Sequence, residues 1–279
     1  MDDFVVAVRS YARADTFVRK THRMLQHNKL TSRLFVFVAN EQERARYTAA
    51  LQGCEYRDII VGQLGGANAI RAICNYFPIN QRIVFMDDDL TSFFDYAEDG
   101  TRRRDSCELA SYLSRGFEAI DLYGCGAFTC SFIENKLWLG HKPRAEIRPF
   151  TLAGNFFGVR NDPAMICTEY AHGDDIVRSV RYIDRYGGVL VFWWAGFQTR
   201  YGKEAGGLQA SDDRGTDTLA KTHAISWSLY NSDPLLQAYA MPPAQETYNP
   251  FVSMKLKKLP AIQKHMQGRC VVRDLAHSD

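Results

Sequence analysis

The sequence predicts an α/β fold: a mostly parallel sheet flanked by helices, in a single domain with a smaller additional part. Three observations predict it. Through the first ninety residues, period-two apolar runs alternate with helical patterns, which is how a parallel sheet with right-handed crossovers reads. Each of these apolar runs ends in polar residues, as do the strands whose carboxyl ends form ligand-binding rims. With 279 residues and 46% hydrophobic content, the chain can bury a large core as one α/β domain or as two small ones, one large domain being preferred.

The elements follow in order. FVVAVRS (4–10) reads as a buried strand and DTFVRKTHRMLQHN (15–28) as a helix with Asp15 at its cap. RLFVFVAN (33–40) is a strand, EQERARYTAALQ (41–52) a helix, RDIIVG (57–62) a strand and GANAIRAICNYF (66–77) a helix. RIVFMDD (82–88) is the fourth strand. Past Gly100, SCELASYLSRGFEAIDLYG (106–124) is a helix and CGAFTCSF (125–132) a strand, followed by a loop-rich part with RPFTLAGNFFGVRND (148–162). HGDDIVRSVRYIDRYGGVLVFWWAGFQTRY (172–201) is a helix opened by acids and then an aromatic strand, and a further helix is expected near 217–231. The spacing shows neither internal repeats nor low complexity.

Charge is nearly balanced, 34 Lys and Arg against 32 Asp and Glu, so any basic surface must be local. Seven scattered cysteines without CxxC spacing argue against zinc and disulfides and for a reducing compartment. No basic region precedes a long apolar one, and no stretch reaches membrane-spanning length, so a soluble cytoplasmic protein is expected, without a membrane partner. Oligomeric state is not legible.

Polar groups gather at the strand ends: Arg9, Ser10, Tyr11 and Arg13 after the first, Asn40 after the second, Gly65 and Gly66 after the third. Taken singly, Arg13 and Asn40 read as ordinary loop or cap residues; their shared location on one rim is what singles them out. After the fourth strand stand three aspartates, Asp87, Asp88 and Asp89. Three adjacent carboxylates at the end of a buried strand repel one another and resist ionisation unless something compensates them. A hard cation, Mg²⁺ or Mn²⁺, holding a substrate diphosphate would do so, since such ions take one or two carboxylates and fill their octahedron with water and phosphate oxygens. Strand alternation predicts that Asp87 and Asp89 face one way and Asp88 another, a D-x-D pattern.

The order of FVVAVRSYARADTF, LFVFVAN, LGGANAIRAICNYF, IVFMDDDLTSFF, LAGNFFGV and HGDDIVRSVRYIDRYGG resembles the GT-A fold nucleotide-sugar glycosyltransferases. Within that fold it is most similar to the bacteriophage enzymes that modify DNA bases, the TET-associated and base J type glycosyltransferases. The likeness spans roughly residues 3–210. It implies one GT-A domain with a nucleotide-sugar and metal-binding half (1–100), an acceptor-side half (101–230) and a basic extension (231–279). It implies a hexosyltransferase using Mn²⁺ or Mg²⁺ and a nucleotide sugar, UDP-glucose foremost, acting on DNA that carries a hydroxymethylated pyrimidine, in the host cytoplasm if the protein is viral.

Residue by residue, the resemblance assigns Arg9, Ser10 and Arg13 to the nucleoside. Asn68 and Arg71, one turn apart at a helix start beside Gly65 and Gly66, would meet the nucleotide; a tight turn and a surface arginine are the plain alternative. Asp87 would contact ribose or metal, and Asp89 the metal. Asp174 and Asp175 match the acidic pair that such enzymes place at an acceptor-side helix, where one would serve as the catalytic carboxylate, Asp175 ahead of Asp174. Plain helix capping also explains them. Lys203, Arg214, Lys221 and His223 fall where a phosphate contact or third metal ligand is often supplied, with Lys203 assigned to the donor and His223 to the metal. Trp193 and Trp194 read as core rather than as a base-stacking platform.

Two basic patches suit a phosphate backbone: Arg102, Arg103 and Arg104, and the acid-free tail from Val252 to Arg273 with Lys255, Lys257, Lys258, Lys264, Arg269 and Arg273. Either could instead be a solvated or packing face. Two other readings stay open: a glycosyltransferase acting on a glycan or small molecule, and a non-catalytic nucleotide- or DNA-binding module.

Overall fold

The computed structural model describes residues 4–97, 101–103, 105–130, 145–152, 155–167, 173–199, 218–243 and 256–257. Strands β1 (Phe4–Arg9), β2 (Leu34–Val38), β3 (Asp58–Val61) and β4 (Arg82–Met86) form one parallel half of an eight-stranded sheet. The other half contains β7 (Ala127–Cys130), β8 (Ala145–Arg148), β9 (Phe156–Arg160) and β10 (Val189–Phe192), in overall order β3-β2-β1-β4-β9-β7-β10-β8. Only β9 and the edge strand β8 run against the rest. The α/β, mainly parallel expectation is met.

Two apolar layers cover the faces. Helical segment 14–27, helix Glu41–Ala50 and helix Leu109–Tyr123 supply Phe17, Leu25, Tyr47, Tyr112 and Phe117 to one layer. Helices Gly66–Tyr76, Pro163–Ile166 and Asp174–Tyr186 supply Ile70, Ile73, Ile166 and Tyr182 to the other. The crossovers from β1 to β2 and from β2 to β3 therefore use one face, and the return from β3 to β4, past β1, uses the opposite one. Right-handed crossovers demand this change of face when the strand order reverses. The reversal sets the carboxyl ends of β1 and β4 side by side, at the topological switch point where open sheets bind ligands.

Several elements differ from expectation. Asp15 is not the cap: the helix starts at Ala14 with Arg13 before it, and Asp15 lies in the first turn. The fourth strand stops at Met86, so the aspartates lie in a turn and strand alternation does not govern them. The stretch 148–162, read as loop-rich, contains β9, wedged between β4 and β7. Gly158 disguised it, because glycine weakens a strand signal. A Cβ at Gly158 would lie 2.2 Å from the Phe128 ring, and one at Gly116 2.5 Å from the same ring, so the ring is slotted between two glycines.

A second, antiparallel sheet was not anticipated: β5 (Ser92–Tyr96) pairs with β6 (Arg102–Arg103) and β11 (Ala195–Gln198). It leaves the main sheet directly after the aspartate turn. Among the described residues no helix is long and apolar enough to cross a membrane.

Candidate functional site

The switch point brings together the polar ends of β1 and β4. Arg9 Nη2 donates to Asp87 Oδ1 (3.4 Å), and Arg13 Nη1 donates to Asp88 Oδ1 (3.2 Å) and lies 3.8 Å from Asp89 Oδ2. Ser10 Oγ donates to Asp88 Oδ2 and is itself in contact with the Tyr47 hydroxyl. Because Ser10 uses its proton on the carboxylate, Tyr47 must donate to Ser10, while Tyr47 accepts from the Arg13 backbone N–H (3.2 Å). Burial pushes the Tyr47 phenol up and keeps that proton in place.

The turn is braced from distant segments. Thr21 Oγ1 donates to the Asp87 carbonyl (2.9 Å) and accepts from Leu90 N–H (3.0 Å). Thr21 belongs to a π-helical stretch, Val18–His22, whose wider turn interrupts the helix beside the site, as π-bulges commonly do. Thr199, one residue past β11, donates to Asp89 Oδ1 (3.1 Å), and Asp87 N–H donates to the Asn155 carbonyl (3.0 Å). Glu43 Oε2 accepts from Ala12 N–H (2.7 Å) in the loop after β1, where Ala12 takes the left-handed conformation at φ 54°.

Three carboxylates thus face two guanidinium groups. Asp87 is pushed up to about 7 by burial, opposed by Arg9 and reinforced by Asp88 and Asp89. Asp88 is also raised by burial, though Ser10 and Arg13 work against it. Arg9 is raised: burial alone would lower it, but Asp87 and then Asp174 outweigh that. The interaction with Asp174 brings the acid helix into the electrostatic neighbourhood of the rim.

That helix starts at Asp174, with Gly173 in the left-handed conformation (φ 74°) as its cap and no side-chain capping bond from it. The two acids are the first helical residues rather than caps. Asp174 Oδ2 accepts from the fully buried Arg178 (3.3 Å), whereas Asp175 Oδ1 accepts from the backbone N–H of Ile176 (2.9 Å). Burial, with the Asp174 charge second, raises Asp175 from its ordinary value, while Arg178 and nearby backbone N–H groups work against the shift.

The other anticipated residues divide. Asn40 caps helix Glu41–Ala50, accepting from Glu43 N–H (2.9 Å). Asn68 is exposed and donates to the Leu64 carbonyl (2.9 Å), and the Arg71 charge acts on Cys167. Trp193 and Trp194 are buried, with Trp193 Nε1 donating to Glu146 (2.7 Å). Arg103 forks onto the fully buried Asp95 (2.7 and 2.5 Å), and Arg102 lies on the Phe94 ring, 4.2 Å from its centroid, so both are built into the small sheet. Lys257 Nζ donates to the Gln237 carbonyl (2.5 Å). Lys203, Arg104, Arg214, Lys255, Lys258, Lys264, Arg269 and Arg273 lie outside the described residues; Lys221 and His223 are on helix Thr218–Ser232, with side chains outside the description.

Tyr47, Glu43, Thr21 and Thr199 had no motif to announce them, and Asn155, inside the LAGNFFGV segment, was not singled out. No protein-family model and no curated protein matches the sequence. Among solved structures, the chain is similar to the mannosyltransferase PcManGT from Pyrobaculum calidifontis in complex with GDP-Man and Mn²⁺, with TM-score 0.48 and 12% identity over 85% of this chain and 67% of that one. It is similar to TarS 1-349 of S. aureus, with TM-score 0.48 and 12% identity over 82% and 66% of the two chains. For a 4-diphosphocytidyl-2C-methyl-D-erythritolsynthase from Anaerococcus prevotii DSM 20548, the TM-score is 0.40 and the identity 11%, over 68% and 89%. The chain spans about two thirds of the length of the first two. Likenesses at this level carry no function, and the chemistry has to be read from this chain's own residues.

Proposed function

We propose that the protein is a metal-dependent glycosyltransferase that takes a sugar from a nucleotide donor, UDP-glucose foremost, and that its acceptor is a hydroxymethylated pyrimidine in DNA. The observation that carries the sugar-transfer reading is the convergence of Asp87, Asp88 and Asp89 with Arg9 and Arg13 at the switch point between β1 and β4. A nucleoside diphosphate with its cation answers both signs of charge at once.

The donor set suits a hard divalent cation: carboxylate oxygens only, with the Asp87 side chain about a third exposed (32%) toward the rim. Asn155, whose backbone braces Asp87, also has a buried side-chain oxygen with no hydrogen-bond partner among the described residues. No group of three His, Cys, Asp or Glu side chains gathers as a metal site among those residues, so Asp87 and Asp89 would share the cation with phosphate and water oxygens. When bound, the cation supplies positive charge against the leaving diphosphate. Arg9, Ser10 and Arg13 fix the aspartates and meet the nucleoside. Asp175 suits the acceptor side: the Arg178 hydrogen bond goes to Asp174, and burial raises Asp175 from its ordinary value, which favours its taking a proton.

The DNA half of the reading rests on the sequence resemblance and on the acid-free basic tail, not on Arg102 and Arg103, which serve the small sheet. The test is nucleoside mass spectrometry after incubating hydroxymethylated DNA with the protein, Mn²⁺ and a panel of nucleotide sugars. A nucleoside heavier by one hexose is expected. Donor hydrolysis without a modified nucleoside would move the acceptor to a glycan or small molecule, and no turnover of any donor would refute the enzyme reading.

A further inference from the structure

On the face opposite the helical segment 14–27, helix Gly66–Tyr76 meets the short helix Pro163–Ile166, and two cysteines come together there. Cys74 is buried (1% exposed), while Cys167, the residue that ends the short helix, is half-buried and packs on the apolar layer that contains Cys74. The two sulfurs are mutual hydrogen-bond partners. Both backbones are tethered: Asn161 Nδ2 donates to the Cys74 carbonyl (2.9 Å), and Arg181 donates to the Cys167 carbonyl. The charges of Arg71, Arg178 and Arg181 act on the Cys167 thiol.

We infer that Cys74 and Cys167 form a reversible disulfide when the protein meets a hydroperoxide. The roles are unequal. Cys74 donates its S–H to Cys167, which holds Cys167 below its ordinary value despite partial burial, with the three arginines adding to the effect. That same bond, together with burial, pushes Cys74 well up, so it keeps its proton. The accessible sulfur is therefore the nucleophile and the buried one the resolving thiol.

In the first step the Cys167 thiolate attacks the peroxide: an S–O bond forms, the O–O bond breaks, and the departing alkoxide or hydroxide takes a proton. Cys167 is now a sulfenic acid, oxidised by two electrons at the expense of the peroxide. In the second step Cys74 attacks that sulfur, the S–S bond forms, the S–O bond breaks, and hydroxide leaves as water with the Cys74 proton. The remaining cysteines differ. Cys125 and Cys130 are buried and raised by that burial, and among the described residues neither is paired with a second thiol in this way.

The experiment uses the whole protein and reads mass rather than activity. Hydrogen peroxide is added at a stoichiometric amount, residual thiols are capped with N-ethylmaleimide, and digested peptides are mapped. A linked pair containing Cys74 and Cys167, about 2 Da lighter than the two thiol peptides, is expected, and dithiothreitol should abolish it. Cys74→Ala should leave a sulfenic acid at Cys167 that dimedone traps, and Cys167→Ser should leave Cys74 reduced; circular dichroism checks that each variant folds. The wild-type result stands even if a variant does not fold. Recovery of both residues as capped thiols, or oxidation of Cys107 or Cys54 in preference to Cys167, would overturn the assignment.

Discussion

Arg178 has no exposed surface, yet it is an arginine on the helix that the acid pair opens. Its Nη1 reaches Asp174, its Nη2 reaches the Leu152 carbonyl (3.4 Å), and its guanidinium lies 4.5 Å from the centre of the Phe157 ring. A buried guanidinium survives only with such partners, and removing it strands the carboxylate it served. Arg178→Met should therefore cost about 3 kcal/mol, and Asp174→Asn in that background should recover part of the loss. Urea unfolding of wild type, both single variants and the double variant measures the coupling; strictly additive losses would show there is none. At the rim itself, Asp89→Asn should abolish transfer without unfolding the protein, because one fewer carboxylate relieves repulsion. Wild-type turnover in that variant would refute the metal assignment. Asp175→Asn should slow transfer at saturating donor by about a hundredfold with donor affinity unchanged, whereas full activity would return this helix start to a structural role. The acids were legible because three charges closing an apolar run contradict the run. Their braces were not: Thr21 lies 66 residues from the turn it holds and Thr199 lies 110 away, and no local pattern encodes such contacts.

Elements were legible where periodicity is local and lost where long-range pairing decides. Helix Leu109–Tyr123 and helix Asp174–Tyr186 announce themselves by their spacing, but β9 is a strand only because β4 and β7 pair with it on either side. Its register sets Arg160 opposite Arg82, two like charges that would repel. Asp121 resolves this from the helix above, accepting from Arg82 Nη2 (2.6 Å) and Arg160 Nε (2.7 Å). Burial alone would raise Asp121, but hydrogen bonds from Arg160 and Arg82 more than offset it and leave the carboxyl below its ordinary value. A depressed carboxyl stabilises the fold above its unfolded value, and that stability is lost as pH falls through the folded one. Asp121→Asn should thus cost about 1 kcal/mol at pH near 7, with the difference from wild type vanishing in acid; denaturant titrations at both pH values test this, and a pH-independent difference would rule it out. The Phe128 slot makes a second test. Gly158→Ala should cost about 1–3 kcal/mol through overpacking, because the ring cannot retreat from β9 without striking Gly116. Phe128→Leu should absorb part of that cost in the double variant. Failure of Phe128→Leu to relieve Gly158→Ala would mean that the ring is not what excludes a side chain there.

At the scale of the molecule, the candidate site does not belong to any one element. Arg9 and Arg13 follow β1, the aspartates follow β4, Thr199 follows β11, and Asp174 opens a helix on the opposite layer from the segment that carries Thr21. The first half of this arrangement was legible because strand and helix alternate regularly up to Met86, and the switch point follows from that alternation once the sheet order is known. Of the second half, β7, the acid helix and the aromatic strand were legible, but β8, β9 and the small sheet were not, because their strands are short and enter their sheets out of chain order. A site assembled from so many segments exists only in the folded state, so any ligand held there stabilises the whole fold by mass action. UDP with Mn²⁺ at a hundredfold excess over its Kd should add about 2.7 kcal/mol and raise the melting temperature by several degrees. Asp89→Asn should lose the Mn²⁺-dependent part of that rise, while Asp121→Asn, remote from the rim, should melt earlier but keep the full ligand increment. Differential scanning calorimetry of the three proteins, with and without ligand, separates these outcomes. An undiminished Mn²⁺-dependent rise in Asp89→Asn would mean that the cation and nucleotide bind elsewhere, and an increment lost equally in both variants would mean that the effect reports general destabilisation rather than a site between β1 and β4.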